Sequence, residues 1–263
     1  TDLSRRIPEG KRNDELSRLA RTVNGMLSRL QESFARERRF TSDVSHELRT
    51  PLAVIRSQCE YALSPEADCD GKQEALTSIL RQTRRMSDMA SQLLLLSRGE
   101  NGTFTPSLAQ VNLSRLTAMT CMDLEPAAEA AGLTMETQIQ PDLTLNCDET
   151  LMIRLITNLV TNAIRYNQPG GFIRVSLSTE SPSDEASQPM AVIRVSDTGI
   201  GIAKEDLEKI WERFYRADSS RSSDGTGLGL SMVRWIAQVH GGWAKAESSP
   251  GHGSVFTVWV PVG

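Results

Sequence analysis

The first hundred residues carry apolar side chains at alternating intervals of three and four. The first such positions are Leu16, Leu19, Val23, Met26 and Leu30. This spacing is the seam of a coiled coil or bundle helix. The seam changes phase at Phe34 and continues to Leu63, and a second seam runs over residues 72–98. Residues 64–71 are rich in Pro, Asp and Gly and predict a turn. The pattern therefore predicts an antiparallel pair of long helices.

Beyond residue 105 the pattern alternates between helical and strand spacing. Helices are predicted at 113–131, 149–166, 204–214 and 228–240, and strands at 133–139, 143–147, 172–178, 190–196, 243–247 and 254–260. Helices on one face of a mixed sheet form an α/β sandwich. The sequence thus predicts a multi-domain chain, an all-α antiparallel helical hairpin followed by an α/β sandwich domain. A lone hairpin exposes too wide an apolar surface, so two copies are expected to close a four-helix bundle as a homodimer.

Composition narrows the class of protein. The 263 residues carry a net charge of −4 with both signs interspersed, which argues against the concentrated basic surface of a nucleic-acid-binding protein. The four cysteines are far apart and form no C-x-x-C pair, so they are interpreted as free thiols of a reducing compartment. No apolar run approaches the ~20 residues that cross a bilayer. Because the chain begins at Thr1, we expect it to be part of a longer protein.

The strongest candidate for chemistry is His46, in the segment Ser-His-Glu-Leu-Arg-Thr-Pro-Leu at 45–52. A neutral imidazole is a nucleophile that titrates near physiological pH. The adjacent Glu47 can hold the second ring nitrogen and take up a proton. Thr50 lies four residues on and shares the face of His46. Pro51 has no N–H for the carbonyl of Glu47, so the helix is expected to bend there. A lone helical histidine would be an ordinary polar residue, but these neighbours favour a catalytic one.

Two motifs in the second half suggest a site for a phosphorylated ligand. Asn158 and Asn162 are four residues apart on one helix face, and an amide oxygen suits Mg²⁺. Asp197-Thr-Gly199-Ile-Gly201 follows a strand, where the carboxylate can accept from an amine and the glycines allow close backbone approach. Taken alone, the asparagine spacing favours a helix-capping or surface feature, and the D-x-G-x-G pattern is as readily a plain turn.

A third motif, Gly225-Thr226-Gly227-Leu228-Gly229, opens a predicted helix, where free N–H groups attract phosphate. Its spacing matches neither the dinucleotide fingerprint nor the Walker A loop. The polar residues 218–224 before it are expected to form a mobile lid. A fourth segment, 210–216, contains Phe214 and Arg216 at the predicted end of a helix. His240 and His252 have no adjacent acid and are interpreted as structural.

The segment 45–52 resembles the H-box of the sensor histidine kinases of two-component signalling, unbroken over its eight residues. Segments 158–167, 197–202, 210–216 and 225–230 are similar to that family's N-, G1-, F- and G2-boxes and occur in its order. Residues 7–27 resemble the second half of a HAMP linker, and 251–254 a final glycine turn. The resemblance spans nearly the whole chain and implies a Bergerat-type ATP-binding domain. It also implies the domain limits. Residues 1–33 would form a partial HAMP linker and coiled-coil helix, and residues 34–99 the dimerisation and histidine phosphotransfer domain. Residues 100–106 would be a linker, and residues 107–263 would form the catalytic ATP-binding domain.

By this resemblance the implied cofactors are ATP and Mg²⁺. His46 would be phosphorylated, with Glu47 holding its Nδ1–H, and Thr50 would position the water of a phosphatase reaction. Asn162 would ligate Mg²⁺. The implied nucleotide-binding residues are Asn158, Arg165, Tyr166, Asp197, Gly199, Gly201, Phe214, Arg216, Gly225, Thr226, Gly227, Leu228 and Gly229. Arg165 occupies a position where the family often has Lys. The arginine guanidinium offers a planar fork of donors, whereas the lysine ammonium is a single point donor.

The implied function is an ATP-dependent protein-histidine kinase that passes its phosphoryl group to an aspartate of a response-regulator receiver domain and also dephosphorylates that regulator. The full-length protein is expected at the cell membrane, with this portion in the cytoplasm and no nucleic-acid partner. Two alternatives stay open: an ATPase clamp of the Bergerat type, which has no use for the H-box, and an inactive scaffold.

Overall fold

The computed structural model describes residues 7, 15–65, 68–100, 104–180, 188–217 and 225–262, without the side chains of 15–17, 32–33, 35–40 and 100. The predicted lid at 218–224 therefore lies outside the described residues, as do most of the polar loop 181–189, the linker residues 101–103 and residues 8–14 of the segment similar to HAMP. The chain divides into two compact units, Thr1–Met86 and Ser87–Gly263. No helix among the described residues is both long and apolar enough to cross a bilayer.

The predicted helical hairpin is confirmed. Helix α1 spans Glu15–Leu63 and continues through Pro51 without interruption. Helix α2 spans Cys69–Glu100, three residues earlier than predicted. The reason is Asp68, whose carboxylate accepts from the Gly71 N–H at 2.8 Å while its carbonyl accepts from the Lys72 N–H at 3.1 Å. Both are bonds that stabilise the first turn of a helix.

Five strands of the second unit form one mixed sheet. They are β2 Thr134–Ile139, β4 Phe172–Glu180, β5 Met190–Asp197, β6 Trp243–Ser248 and β7 Ser254–Pro261. Their order is β2-β4-β5-β7-β6, with β2 and β4 parallel and the other neighbours antiparallel. A separate two-stranded sheet pairs β1, Ala109–Asn112, with β3, Thr144–Cys147. Strand β1 was not predicted.

Three helices pack beside the large sheet: α3 Leu113–Ala130, α4 Glu149–Arg165 and α5 Gly229–Val239. Asn112 and Asp148 are the N-cap residues of α3 and α4, and their side chains accept from backbone N–H groups of the first turn. The core lies between helices and sheet, where α4 buries Leu155, Ile156 and Leu159 against the central strand β5. All four cysteines are free, and burial raises the pKa of the Cys121 and Cys147 thiols to about 11.

The predicted helix at 204–214 is wrong. A single 3-10 turn, Lys209–Trp211, occupies this segment. Phe214 has a φ of 60°, which no right-handed helix contains. The Tyr215 hydroxyl donates to the Asp206 carboxylate at 2.5 Å, which draws the segment into a loop. Eleven residues of helical spacing are too few to make a helix without packing that favours it.

Candidate functional site

A cavity opens in the second unit between the C-terminal half of α4 and the ends of β5 and β7. Its lining residues are Asn162, Tyr166, Asp197, Ile200, Gly201, Ile202, Ile210, Tyr215, Arg216, Ala217, Leu230, Ser254 and Phe256. Five of the predicted site residues are among them: Asn162, Tyr166, Asp197, Gly201 and Arg216. The walls are largely apolar with a few polar groups converging on them, as is usual for a small-molecule site.

Asp197 ends β5 at the wall of this cavity. Its Oδ1 accepts from the Gly199 N–H at 2.9 Å and from the Ser254 N–H at 3.2 Å. Burial raises the pKa of the carboxyl, and the two backbone N–H groups offset part of that rise. The other carboxylate oxygen, Oδ2, has no hydrogen bond to any residue that the structure describes. Asp197 therefore presents one acceptor that a ligand can reach.

The loop after Asp197 packs against the end of α4, and two glycines make this possible. A Cβ on Gly199 would collide with the carbonyl oxygen of Tyr166, whose oxygen accepts from the Ile200 N–H at 3.0 Å. Gly201 has a φ of 69° and lies against the backbone of Ser249. Their small size thus places Tyr166 and Asp197 at one end of the cavity.

The predicted phosphate motif lies over the same face of α4. A Cβ on Gly225 would lie 3.1 Å from both Arg165 Nη1 and the Tyr166 hydroxyl. A Cβ on Gly229 would lie 3.5 Å from Asn158 Oδ1 and 3.8 Å from Asn162 Nδ2. The structure therefore brings this motif together with the two asparagines and the basic residue of α4.

The remaining predicted residues of this region flank the segment 218–224. The Phe214 N–H donates to the Gly227 carbonyl at 2.9 Å, and Arg216 Nη1 donates to the Gly225 carbonyl at 3.1 Å. The Leu228 N–H donates to the Thr226 hydroxyl at 3.4 Å, and the Leu228 side chain is fully buried. The bonds of Phe214 and Arg216 hold the residues on the two sides of the segment next to each other.

The donor set of α4 fits a hard cation that is shared with a ligand. The amide nitrogen of Asn158 is buried and has no hydrogen-bond partner among the described residues. Asn162 lines the cavity one turn further on. Within the described ranges no three His, Cys, Asp or Glu side chains are grouped to hold a metal. Mg²⁺ usually keeps several waters and binds through one or two protein oxygens plus substrate phosphates, so a single amide oxygen is a sufficient protein contribution.

Several lining residues were not predicted. Ile200, Ile202 and Ile210 lie within the motif segments 197–202 and 210–216 but were not predicted as site residues, and Phe256 lies in no motif. An apolar residue of a pocket looks like any core residue in a sequence. Ser254 belongs to the glycine turn noted at 251–254, and its backbone N–H reaches Asp197 because Gly253 adopts a φ of 78°. Its place directly after that turn was the one signal available.

His46, Glu47 and Thr50 lie on α1 in the first unit. His46 and Thr50 are exposed and Glu47 is half-buried. The Thr50 hydroxyl donates to the His46 carbonyl at 3.5 Å, so the two residues occupy successive turns of one face. An exposed imidazole on a regular helix is accessible to a second reactant.

His240 has a different environment. Its Nε2 accepts from the Asp148 N–H at 3.0 Å, and Nδ1 lies 2.8 Å from the Ile236 carbonyl. These bonds connect the end of α5 to the start of α4. This contact agrees with the interpretation of His240 as structural.

Three family models match the chain. The model described as "Histidine kinase-, DNA gyrase B-, and HSP90-like ATPase" matches residues 147–263. The "His Kinase A (phospho-acceptor) domain" matches residues 36–102, and the "HAMP domain" matches residues 1–32. The first match contains the cavity, and the second contains His46.

Curated proteins and solved structures are also similar to this chain. The sensor-like histidine kinase SenX3 of Mycobacterium tuberculosis is 33% identical over 229 residues, covering 86% of this chain and 54% of SenX3. The sensor protein CutS of Streptomyces coelicolor is 34% identical over 265 residues, covering 100% of this chain and 62% of CutS. The structure of the Acinetobacter baumannii histidine kinase AdeS shares the fold, with a TM-score of 0.66 at 23% identity over 83% of this chain and 98% of AdeS. The chain spans about half the length of SenX3.

Proposed function

We propose that this chain, which belongs to the sensor histidine kinases of two-component systems, phosphorylates its own His46 from ATP and passes the phosphoryl group to an aspartate of a response regulator. The observation that carries the proposal is the cavity of the second unit, which Asp197, Asn162 and Gly201 line, with Gly225–Gly229 over the adjoining face of α4 that carries Asn158 and Arg165. The same chain carries the exposed His46 in its H-box. A nucleotide site and a phosphoacceptor together are what a histidine kinase requires.

The adenine end of the site is the wall formed by Asp197. Its Oδ2, which no described residue bonds, accepts a hydrogen bond from the 6-amine of adenine, since a carboxylate is an acceptor and the amine is a donor. Ile200, Ile202 and Phe256 offer apolar contact to the ring faces, and Tyr166 packs at its edge. Burial of the flat ring in this apolar cavity supplies affinity, and Asp197 supplies orientation.

The phosphate end is the region where Gly225–Gly229 lies over α4. Backbone N–H groups at the start of α5 face the phosphates, which a helix N-terminus attracts. Arg165 and Arg216 add charge that offsets the negative charge of the triphosphate. Asn162 would supply the protein oxygen to Mg²⁺, and the bound ion would offset phosphate charge. Asn158 supports the same end through its buried amide N–H, which has no partner among the residues that the structure describes.

The chemistry takes place at His46. Its neutral Nε2 attacks the γ-phosphorus in line as the bond to the bridging oxygen of ADP breaks. Glu47 holds the Nδ1–H and takes its proton, so the imidazole does not carry a full positive charge. Proton transfer to a positioned side chain of this kind raises the reaction rate about 10²–10⁴-fold. When the protein acts as a phosphatase, Thr50 positions the water that attacks the phosphorylated regulator.

The working protein is proposed to be a homodimer with a response regulator as partner. The helices of the first unit expose large apolar side chains in the monomer: Leu19, Met26, Leu30, Phe34, Leu52, Leu63, Leu76 and Leu80. A second copy would cover such a surface by closing a four-helix bundle. We propose that the hairpin extends over 34–99 and the ATP-binding domain over 107–263, with a HAMP linker before them that leads to a membrane anchor in the full-length protein.

Incubation with γ-labelled ATP and Mg²⁺ tests the proposal. We expect label on the wild-type protein and none on a His46→Ala variant that still binds ADP. ATP turnover with no labelled protein would instead indicate an ATPase clamp. Neither label nor turnover, with ADP binding intact, would indicate a scaffold.

A further inference from the structure

Ser248, the last residue of β6, makes three hydrogen bonds beside the cavity. Its Oγ accepts from the Ile202 N–H at 2.8 Å and donates to the Gly253 carbonyl at 2.6 Å. The hydroxyl of Ser254 lies 3.0 Å from the same oxygen. Ser248 itself does not line the cavity, whereas Ile202 and Ser254 both do. One hydroxyl therefore connects two walls of the site.

The direction of the bond between the two serines follows from counting hydrogens. A hydroxyl has one hydrogen and two lone pairs. The Gly253 carbonyl can only accept, so it takes the single hydrogen of Ser248. Ser248 must then accept from both Ile202 and Ser254. The hydrogen of Ser254 is directed at Ser248, and the Ser254 oxygen has only acceptor capacity left for a ligand.

This acceptor lies next to another. The Ser254 N–H donates to Asp197 Oδ1, which places the residue beside the carboxylate whose Oδ2 is free among the described residues. Ser254 is almost fully buried, with 6% of its surface exposed, so water competes little for its oxygen. The wall that Ser254 and Asp197 form together thus offers lone pairs and no hydrogen.

We propose that Ser248 is a positioning residue for base specificity, holding Ser254 as an acceptor so that the site selects a 6-amino purine over a 6-oxo purine. The proposal rests on the proposed nucleotide site. The 6-amine of adenine has hydrogens to donate to this wall. The 6-oxo group of hypoxanthine or guanine would place its lone pairs against those of the wall, and a buried acceptor without a donor is unfavourable.

Removing the Ser248 hydroxyl separates this role from a structural one. In Ser248→Ala the Ser254 hydroxyl can rotate and donate to a 6-oxo group. We expect ADP binding to weaken and IDP binding to hold or improve, so that the ratio of the IDP to the ADP dissociation constant falls about three- to tenfold, the range of one net hydrogen bond. The Ile202 N–H also loses its acceptor, but that loss changes the site equally for both nucleotides.

The experiment is calorimetric titration of the whole chain with ADP and with IDP, whose bases differ in the group at position 6 and in the hydrogen that hypoxanthine carries on N1. Ser248→Thr, which retains the hydroxyl, is the matched control and should keep the wild-type ratio. If Ser248→Ala does not fold, Ser254→Ala is used in its place. Ser254→Ala removes the proposed acceptor and should also lower the ratio of the IDP to the ADP dissociation constant.

Equal weakening of ADP and IDP in Ser248→Ala, or an unchanged ratio in Ser254→Ala, would overturn the inference while leaving the nucleotide site standing. Failure of the wild-type chain to bind ADP would overturn both this inference and the proposed function. The two failures are therefore distinguishable in one set of titrations.

Discussion

The backbones of Phe214 and Gly227, which lie on either side of the segment 218–224 in the sequence, are in contact. The Phe214 N–H donates to the Gly227 carbonyl at 2.9 Å, and both residues adopt positive φ, 60° and 68°. A Cβ on Gly227 would lie 2.7 Å from the Cα and the carbonyl carbon of Phe214. This contact leaves no room for any side chain at Gly227.

Gly227→Ala should therefore open the contact with Phe214 and weaken ADP binding at least tenfold in a calorimetric titration. Gly170→Ala is the matched control, because Gly170 has a φ of 78° with open space around its Cβ position. Both variants bear the cost of left-handed backbone, about 1–2 kcal/mol, so both should lower the Tm. Equal ADP affinity in the two variants would contradict a specific role for the contact.

Asp197→Asn should separate stability from binding. Because burial raises the pKa of Asp197 above its ordinary 3.8, the folded chain binds that proton more tightly than the unfolded chain. The resulting stabilisation is complete below the ordinary pKa and is lost as pH rises through the folded-state value. At neutral pH the variant, which has no charge to bury, should melt at or above the wild-type temperature. That advantage should shrink as the pH is lowered toward 3.8.

Thermal unfolding between pH 4 and 7 measures this difference. ADP binding at pH 7 should be lost because the amide oxygen stays with the Gly199 and Ser254 N–H groups, so an NH2 donor replaces Oδ2 opposite the 6-amine. Asp123→Asn, at an exposed position of α3, is the control and should change neither property. An Asp197→Asn variant that binds ADP normally would remove Asp197 from the adenine site.

Arg165→Met should weaken ADP binding and leave adenosine binding nearly unchanged, since Arg165 is proposed to contact phosphate alone. A hydrogen bond to a charged group contributes about 1.5–3 kcal/mol, so the loss for ADP should be about tenfold or more. Arg115→Met, at an exposed position of α3, controls for the change in net charge. Equal weakening for ADP and adenosine would place Arg165 at the base or in the fold instead.

Thr50→Ala should abolish dephosphorylation of the regulator and leave autophosphorylation intact, because Thr50 is proposed to act on water and not on ATP. Thr77→Ala is a close control: Thr77 is also exposed on a long helix and its hydroxyl donates to the carbonyl four residues back at 2.8 Å. Parallel assays of both activities measure the split. Loss of both activities in Thr50→Ala would show that the residue supports the helix and not the water.

The fold could be predicted where the sequence has a long period or a distinctive motif. Alternating spacings of three and four identified α1 and α2, and the short apolar runs identified the strands of the large sheet. The motifs around Asp197 and Gly227 pointed to a common site because their residue types suit phosphate and amine ligands. The structure brings these motifs together at one site, with Asp197 in the wall of the cavity and Gly225–Gly229 over the neighbouring face of α4.

The rest depends on contacts between distant residues. The segment 204–214 has helical spacing, but the bond from Tyr215 to Asp206 and the backbone of Phe214 determine a loop. Ser248 and Ser254 are ordinary serines in the sequence, and their bond forms only because β6 and β7 are paired. The roles of individual site residues and the domain limits stay predictions.

Phosphorus NMR of the phosphorylated chain, denatured in alkali, tests the central claim most directly. The account predicts a phosphoramidate signal of phosphohistidine substituted at Nε2, present after incubation with ATP and Mg²⁺ and absent from His46→Gln. A phosphate ester, a signal of the Nδ1 isomer, or a phosphohistidine that persists in His46→Gln would contradict it.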